Sequence, residues 1–245
     1  MNDITPAVRA DLVSTGTLRA GINYGNPILA TRDPATGASA GVAIDLVQEL
    51  GRRLAVPVAI VSYDSVAVMG DAAPTHTWDI AFLGSDPQRE ILMSFTAAYL
   101  EIEATYLVPA ASPLRTAAEV DRPGIRVAAP ARANYELFLR RHLREAHLVS
   151  TPGVAAAVDL LQTGQVNVLA GLTQGLLDLQ AQLPTARLLD GRFMAVQQSI
   201  AVPKGRDAGL AYLRGVVEEV KGSGLVARAI RKTGARGVAV APPAA

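Results

Sequence analysis

A chain of 245 residues is long enough for one large domain or two small ones with a real core; half of its residues are hydrophobic and 18% are charged, an ordinary globular composition rich in alanine and light in aromatics. Its 23 basic residues are balanced by 22 acidic ones to a net charge of +1, so the surplus of cations that a nucleic-acid partner requires is missing. With no cysteine, disulfides, thiol catalysis and cysteine-held metals are excluded, and no run of about 18 apolar residues marks a transmembrane helix. Residues 1–16 have neither the basic nor the apolar region of a signal peptide. Two expectations stay open: a cytoplasmic chain that starts at its own Met1, or one whose leader has been replaced.

In chain order, residues 7–15 suit a short helix and Leu18–Asn23 a first strand, which runs into the turn-rich Tyr24-Gly25-Asn26-Pro27. Asp33–Gly37 reads as a second turn. Val42, Leu46, Val47, Leu50 and Leu54 recur at helical spacing, and Val56–Val61 is a β-rich run behind that helix. Helix between strands is the syntax of a parallel sheet. Ser62–Thr77 is weakly patterned, with Pro74 and His76 in a loop. Trp78–Leu83 is a buried strand, and Gly84-Ser85-Asp86-Pro87 a turn that starts a helix. Ala104–Val108 is another apolar segment.

A second α/β pattern begins near Gly124. Strands are expected at Ile125–Ala129, Leu148–Val149 and Val166–Ala170, and helices at Tyr135–Leu143 and Val154–Thr163. Leu188–Leu189 and Ser199–Val202 are the last strand candidates. Leu210–Thr233 reads as one or two helices broken at Gly222-Ser223-Gly224, and Ala239–Ala245 as a frayed tail.

The chain carries no GxSxG, Walker loop or GxGxxG. His76, His142 and His147 are scattered, and the last two are spaced wrongly for one face of a metal-binding helix. The acid pairs Glu101/Glu103 and Glu218/Glu219 read as solvated edges. No catalytic residue, metal or cofactor is therefore expected.

The succession Gly16–Ile22, Gly37-x3-Gly41-x3-Asp45-Leu46, Trp78-Asp79-Ile80-Ala81, Asp86-x2-Arg89, Phe95-Thr96-x2-Tyr99, Gly124–Ala128 and Gly164–Val168 resembles the family 3 extracellular solute-binding proteins that serve polar amino-acid ABC importers. The resemblance covers nearly the whole chain. It implies a type II periplasmic-binding-protein fold: two α/β lobes, one from 1–104 plus 201–245 and one from 108–196, joined by crossover strands near 103–108 and 197–202, closing on a ligand in the cleft between them.

By that resemblance Arg89 clamps a ligand carboxylate, a role that suits a guanidinium fork; the alternative is a solvated surface arginine. Gly84 and Ser85, at the end of the same strand, offer a close backbone approach and a hydroxyl, or form only a turn and cap. Asp86 stands where the family has threonine and is expected to cap a helix and orient Arg89; the stretch Asp79–Arg89 is two residues shorter than in the family. Asn23, Tyr24 and Asn26 follow the first strand, where the family has an aromatic wall, and Phe82 can face the ligand; core or rim packing is the alternative for the aromatics. Arg132, Ala133, Asn134 and Tyr135 lie at a helix start in the second lobe, where the family holds an anion on backbone N–H groups and a hydroxyl. Arg132 is either a second clamp or a solvated cap residue.

The family's aspartate for the ligand α-ammonium falls on Leu172. Either Gln174 or Gln198 replaces it, or the ligand is not an α-amino acid, which is the reading preferred here. The expectation is a monomeric, non-catalytic protein that binds a small carboxylate ligand and serves ABC transporter membrane subunits, with no nucleic-acid partner. It is periplasmic by resemblance and cytoplasmic if Met1 is the native start. Two alternatives share the fold: an enzyme resembling cyclohexadienyl dehydratases, with Asp86 as the cleft acid, and a ligand-sensing domain.

Overall fold

The structure, a computed structural model, describes residues 3–244. Helix α1 spans Pro6–Leu12; Thr5 Oγ1 accepts the Val8 N–H at 3.3 Å, so the helix begins at the cap and proline rather than at residue 7. Strand β1 (Leu18–Asn23) and the short hairpin β2 (Thr31–Arg32) and β3 (Ser39–Ala40) follow. Helix α2 (Val42–Leu54) buries the apolar face read from the sequence and ends at Ala55 in the left-handed region. Strand β4 is Val58–Tyr63.

The weakly patterned stretch 62–77 holds α3 (Val66–Asp71) and a 3-10 turn at Ala73–Thr75, so Pro74, expected in a loop, lies in that turn and His76 just after it. The start of α3 was legible in Ser65, whose Oγ accepts the N–H groups of Ala67 and Val68, but six residues are too few to show a period. Strand β5 is Ile80–Gly84. No α-helix follows it: a 3-10 turn at Arg89–Ile91 leads straight into β6 (Met93–Pro109), which at 17 residues far exceeds the segment expected at 104–108.

Next come β7 (Arg126–Pro130), α4 (Asn134–His142), β8 (His147–Thr151), α5 (Val154–Gln162), β9 (Val168–Leu172), α6 (Thr173–Gln182) and β10 (Ala186–Leu188). Helix α6 was missed, since only Leu176 on it is buried and its apolar pattern is weak. The chain closes with β11 (Met194–Pro203), α7 (Asp207–Gly222), α8 (Leu225–Thr233) and β12 (Val238–Val240). The tail expected to fray from 239 is held through this last strand: β12 pairs with β6, and the Ala241 N–H donates to the Tyr99 carbonyl at 3.3 Å. Ala245 lies outside the described residues.

The chain divides into two compact units, Met1–Glu101 with Gln197–Ala245, and Ile102–Val196. In the first, the strand order is β4-β1-β5-β11; β1 is parallel to β4 and β5, and β11 is antiparallel to β5. One face of this sheet packs Met69, Trp78, Ala81, Leu83, Met93 and Phe95 together. In the second unit the order is β6-β9-β7-β8, with β7 parallel to β8 and β9. Alternate residues face opposite cores, Val127, Ala129, Val168 and Ala170 on one side and Ala128 and Leu169 on the other. Apolar residues on both faces are what a parallel sheet between helices requires.

Candidate functional site

Ligands of open α/β sheets bind beyond the carboxyl ends of the parallel strands. In the first unit those ends are Asn23 on β1 and Gly84 on β5, with Gln198 of antiparallel β11 as the Cα partner of Gly84. Arg89 is held here. Its Nη1 donates to the Gly84 carbonyl at 2.7 Å, and only 9% of the residue is exposed, so the solvated-surface alternative fails. The turn that carries it is set by Asp86, which is buried: Oδ1 accepts the Gln88 N–H at 2.9 Å, and its carbonyl accepts the N–H groups of Arg89 and Glu90. Asp86 thus caps a tight turn, not a helix. The Ser85 N–H donates to the Gln197 carbonyl at 2.9 Å, which seats the turn on β11.

Gln198 is 4% exposed, and its Oε1 makes no hydrogen bond among the described residues. The adjacent Gln197 is used differently, its Nε2 donating to Glu101 at 3.0 Å.

Asn23 Oδ1 accepts the Gly25 N–H, and Asn26, buried, accepts the Ile28 N–H, so both amides shape the turn after β1. Tyr24 is half-buried: its hydroxyl lies 2.6 Å from Ser39 Oγ, and the Arg32 guanidinium sits 4.7 Å over its ring. Tyr24, Ala30, Thr31, Arg32, Ser62 and Asp64 line an open hollow of about 460 Å³. Sequence reasoning missed Arg32 and Ser39, because only the β2–β3 hairpin returns them to Tyr24. Phe82 does not face solvent; it is 1% exposed and meets Tyr99 edge-on at 6.0 Å, so the packing alternative describes it.

In the second unit Arg132 is exposed and left-handed, with φ 63°, and Ala133 is the residue before α4. Asn134 is the buried first residue of α4. Tyr135 packs against the unit's core, and burial raises its phenol pKa. The expected anion place at this helix start is contested by the protein's own Glu136, which is 1% exposed. It accepts the Arg132 N–H at 3.0 Å and the Ser150 hydroxyl at 2.7 Å, and pairs with Arg140. A ligand anion beside this buried carboxylate is disfavoured.

Leu172 ends β9 opposite Ala104, and no carboxylate stands in its place. Neighbouring Thr173 donates its hydroxyl to the Glu103 carbonyl at 3.1 Å, and Gln174 Nε2 donates to Asp178 at 2.8 Å. Among the described residues no group of three or more His, Asp or Glu side chains is placed to hold a metal, and no helix is long and apolar enough to cross a membrane.

Two mixed α/β units built on strands that run from one into the other define the two-lobed, type II periplasmic-binding-protein fold. The chain belongs to the bacterial extracellular solute-binding proteins, family 3, which it matches over residues 18–234. A mutant of ArgBP from T. maritima is similar in fold, with a TM-score of 0.73 at 21% identity over 92% of this chain and 98% of that one. The solute receptor for L-cysteine of Neisseria gonorrhoeae has a TM-score of 0.75 at 20% identity, over 92% of each chain. An ancestral amino acid-binding protein, a precursor of cyclohexadienyl dehydratase, has a TM-score of 0.73 at 21% identity, over 91% of this chain and 97% of that one. A comparison with curated proteins finds no match.

Proposed function

We propose that this solute-binding protein captures a small carboxylate-bearing solute without transforming it, and hands it to the membrane subunits of an ABC importer outside the cytoplasm. The observation that carries this reading is Arg89, a guanidinium buried at the carboxyl end of β5 and oriented by the Gly84 carbonyl. A buried fork of fixed plane suits the two oxygens of a carboxylate. Solved structures of the same fold are described as binding L-cysteine and L-arginine, both of which carry one. With leucine at 172, and Thr173 and Gln174 engaged inside the protein, no acid stands at the position expected for an α-ammonium, which favours an organic acid over an α-amino acid.

Removing one partner of a desolvated charge pair costs about 2–5 kcal/mol, so Arg89→Ala should weaken binding roughly 30-fold to several-thousand-fold, and Arg89→Lys should restore only part. Calorimetry against a panel of organic acids, with circular dichroism as folding control, measures this. A ligand at 100 times its Kd should also stabilise the protein by about 2.7 kcal/mol in thermal shift. Unchanged affinity in folded Arg89→Ala would remove the clamp. Shifts with L-amino acids and none with other acids would overturn the organic-acid reading.

A further inference from the structure

We propose that Gln198 reads a neutral hydrogen-bond donor on the solute, so that the preferred ligand is a hydroxy acid. This rests on the Arg89 reading above and adds the second group that the ligand must carry.

Gln198 and Gly84 are direct partners in the antiparallel β11–β5 pair, and Ile200 and Phe82 are the next. Directly opposed residues share a face, so the Gln198 side chain rises beside Gly84, which has no side chain to occupy that space. The Gly84 carbonyl is also the group that orients Arg89. Gly84 is therefore shared: its carbonyl holds the Arg89 cation, and the space where its side chain would stand lies opposite the buried Gln198 amide. The amide is 4% exposed, yet its Oε1 accepts nothing from the protein. A buried acceptor left unmade is costly, and at the end of a strand beside a candidate site a ligand donor can supply what is missing. Two donors of the flanking residues are committed, the Gln197 amide to Glu101 and the Ser85 N–H to the Gln197 carbonyl.

The chemistry of the missing donor follows from charge. The amide oxygen is neutral, and the Gly84 position opposite Gln198 already holds the Arg89 cation. Asp86, the buried acid of the same turn, has Oδ1 on the Gln88 N–H, and Glu101 accepts from Gln197. A buried ammonium would need a carboxylate turned toward it, whereas a hydroxyl needs only an acceptor.

The test is calorimetry with matched acids that differ by one hydroxyl: lactate against propionate, malate against succinate, 3-hydroxybutyrate against butyrate. Wild-type protein should bind the hydroxylated member of at least one pair about tenfold or more tightly, since a site built around a hydroxyl rejects its deoxy analogue. Gln198→Met, similar in shape but without the acceptor, should erase that preference by bringing the hydroxylated member to the affinity of its deoxy partner. Its ligand-free Tm should equal or exceed that of wild type, because an unpaired group has been removed. A lower ligand-free Tm would show that the amide has a structural partner such as a bound water, and would overturn the proposal. Equal binding within every pair would overturn it too, with the Arg89 reading left standing. If no acid binds wild-type protein, both readings fall.

Discussion

Tyr99 shows how a side chain can be required for its shape and not for its polar atom. It is wholly buried, meets Phe82 edge-on, and its hydroxyl finds no partner within the protein; burial alone pushes its phenol pKa up. An unsatisfied buried hydroxyl costs about 1–3 kcal/mol, so Tyr99→Phe should stabilise the protein by about 1 kcal/mol, a rise of roughly 2–4 °C in Tm. A destabilisation of that size in differential scanning calorimetry would mean that the hydroxyl is hydrogen-bonded in solution. Asp79 is the opposite case. It lies in a motif that signals the family, yet its work is structural: its carboxylate, wholly buried, takes the Arg19 guanidinium at 2.6 and 2.9 Å and the Arg19 N–H at 2.9 Å, tying β5 to β1. Arg19 responds with a raised pKa, caused first by the hydrogen bond from its side chain to Asp79.

At the scale of elements, α2 depends on the glycine before it. Gly41 has φ 131°, and a Cβ there would stand 2.4 Å from the Leu29 carbonyl oxygen and 2.7 Å from its carbon. Backbone cannot move aside as a flexible side chain can. Gly41→Ala should therefore cost about 2 kcal/mol or more, from strain at the left-handed position plus overpacking. Gly175 within α6 is the control: a Cβ there meets nothing within 4 Å, so Gly175→Ala should stabilise by about 0.5–1 kcal/mol through helix propensity. Urea unfolding of both variants decides the matter, and equal effects at the two sites would refute the steric account.

At the scale of the whole molecule, four carboxylates among the described residues are held below their ordinary values, two in each unit. The Glu49 pKa falls from 4.5 to about 2, chiefly because its carboxylate accepts from Arg52 and then Arg53. Asp33 is lowered by the N–H groups of Thr36 and Ala35, and Glu119 by those of Arg115 and Thr116. For Asp121 burial works in the opposite direction, but the N–H groups of Ala146, Glu145 and Arg144 prevail. A depressed folded pKa contributes stability that is fully present above the unfolded value and disappears as pH falls through the folded one. The urea midpoint should hence be nearly level from pH 7 to about 5 with respect to these groups, then decline from about 4.5 toward 2. A midpoint that stays level down to pH 2 would contradict this account.

Periodicity and local cap chemistry were enough, in the sequence, to place α2, β1 and the break between α7 and α8, because each depends on neighbours within a few positions. The order of the motifs likewise pointed to the family and its fold. Short or weakly amphipathic pieces such as α3 and α6 escaped, since too few of their residues are buried to leave a pattern. The candidate site was legible as a set of residue types at strand ends, Arg89 above all. What those residues do was decided by partners distant in the chain or set by a turn. Gly84 lies opposite Gln198 only because β11 returns antiparallel beside β5, and Arg32 reaches Tyr24 only through a hairpin. Sequence determines which polar groups exist and where strands and helices are favoured. Tertiary structure alone assigns hydrogen-bond partners and dehydration, and these set Glu136 against an anion at α4 and leave Gln198 with an acceptor to offer, because a polar group's energy depends on what replaces its water.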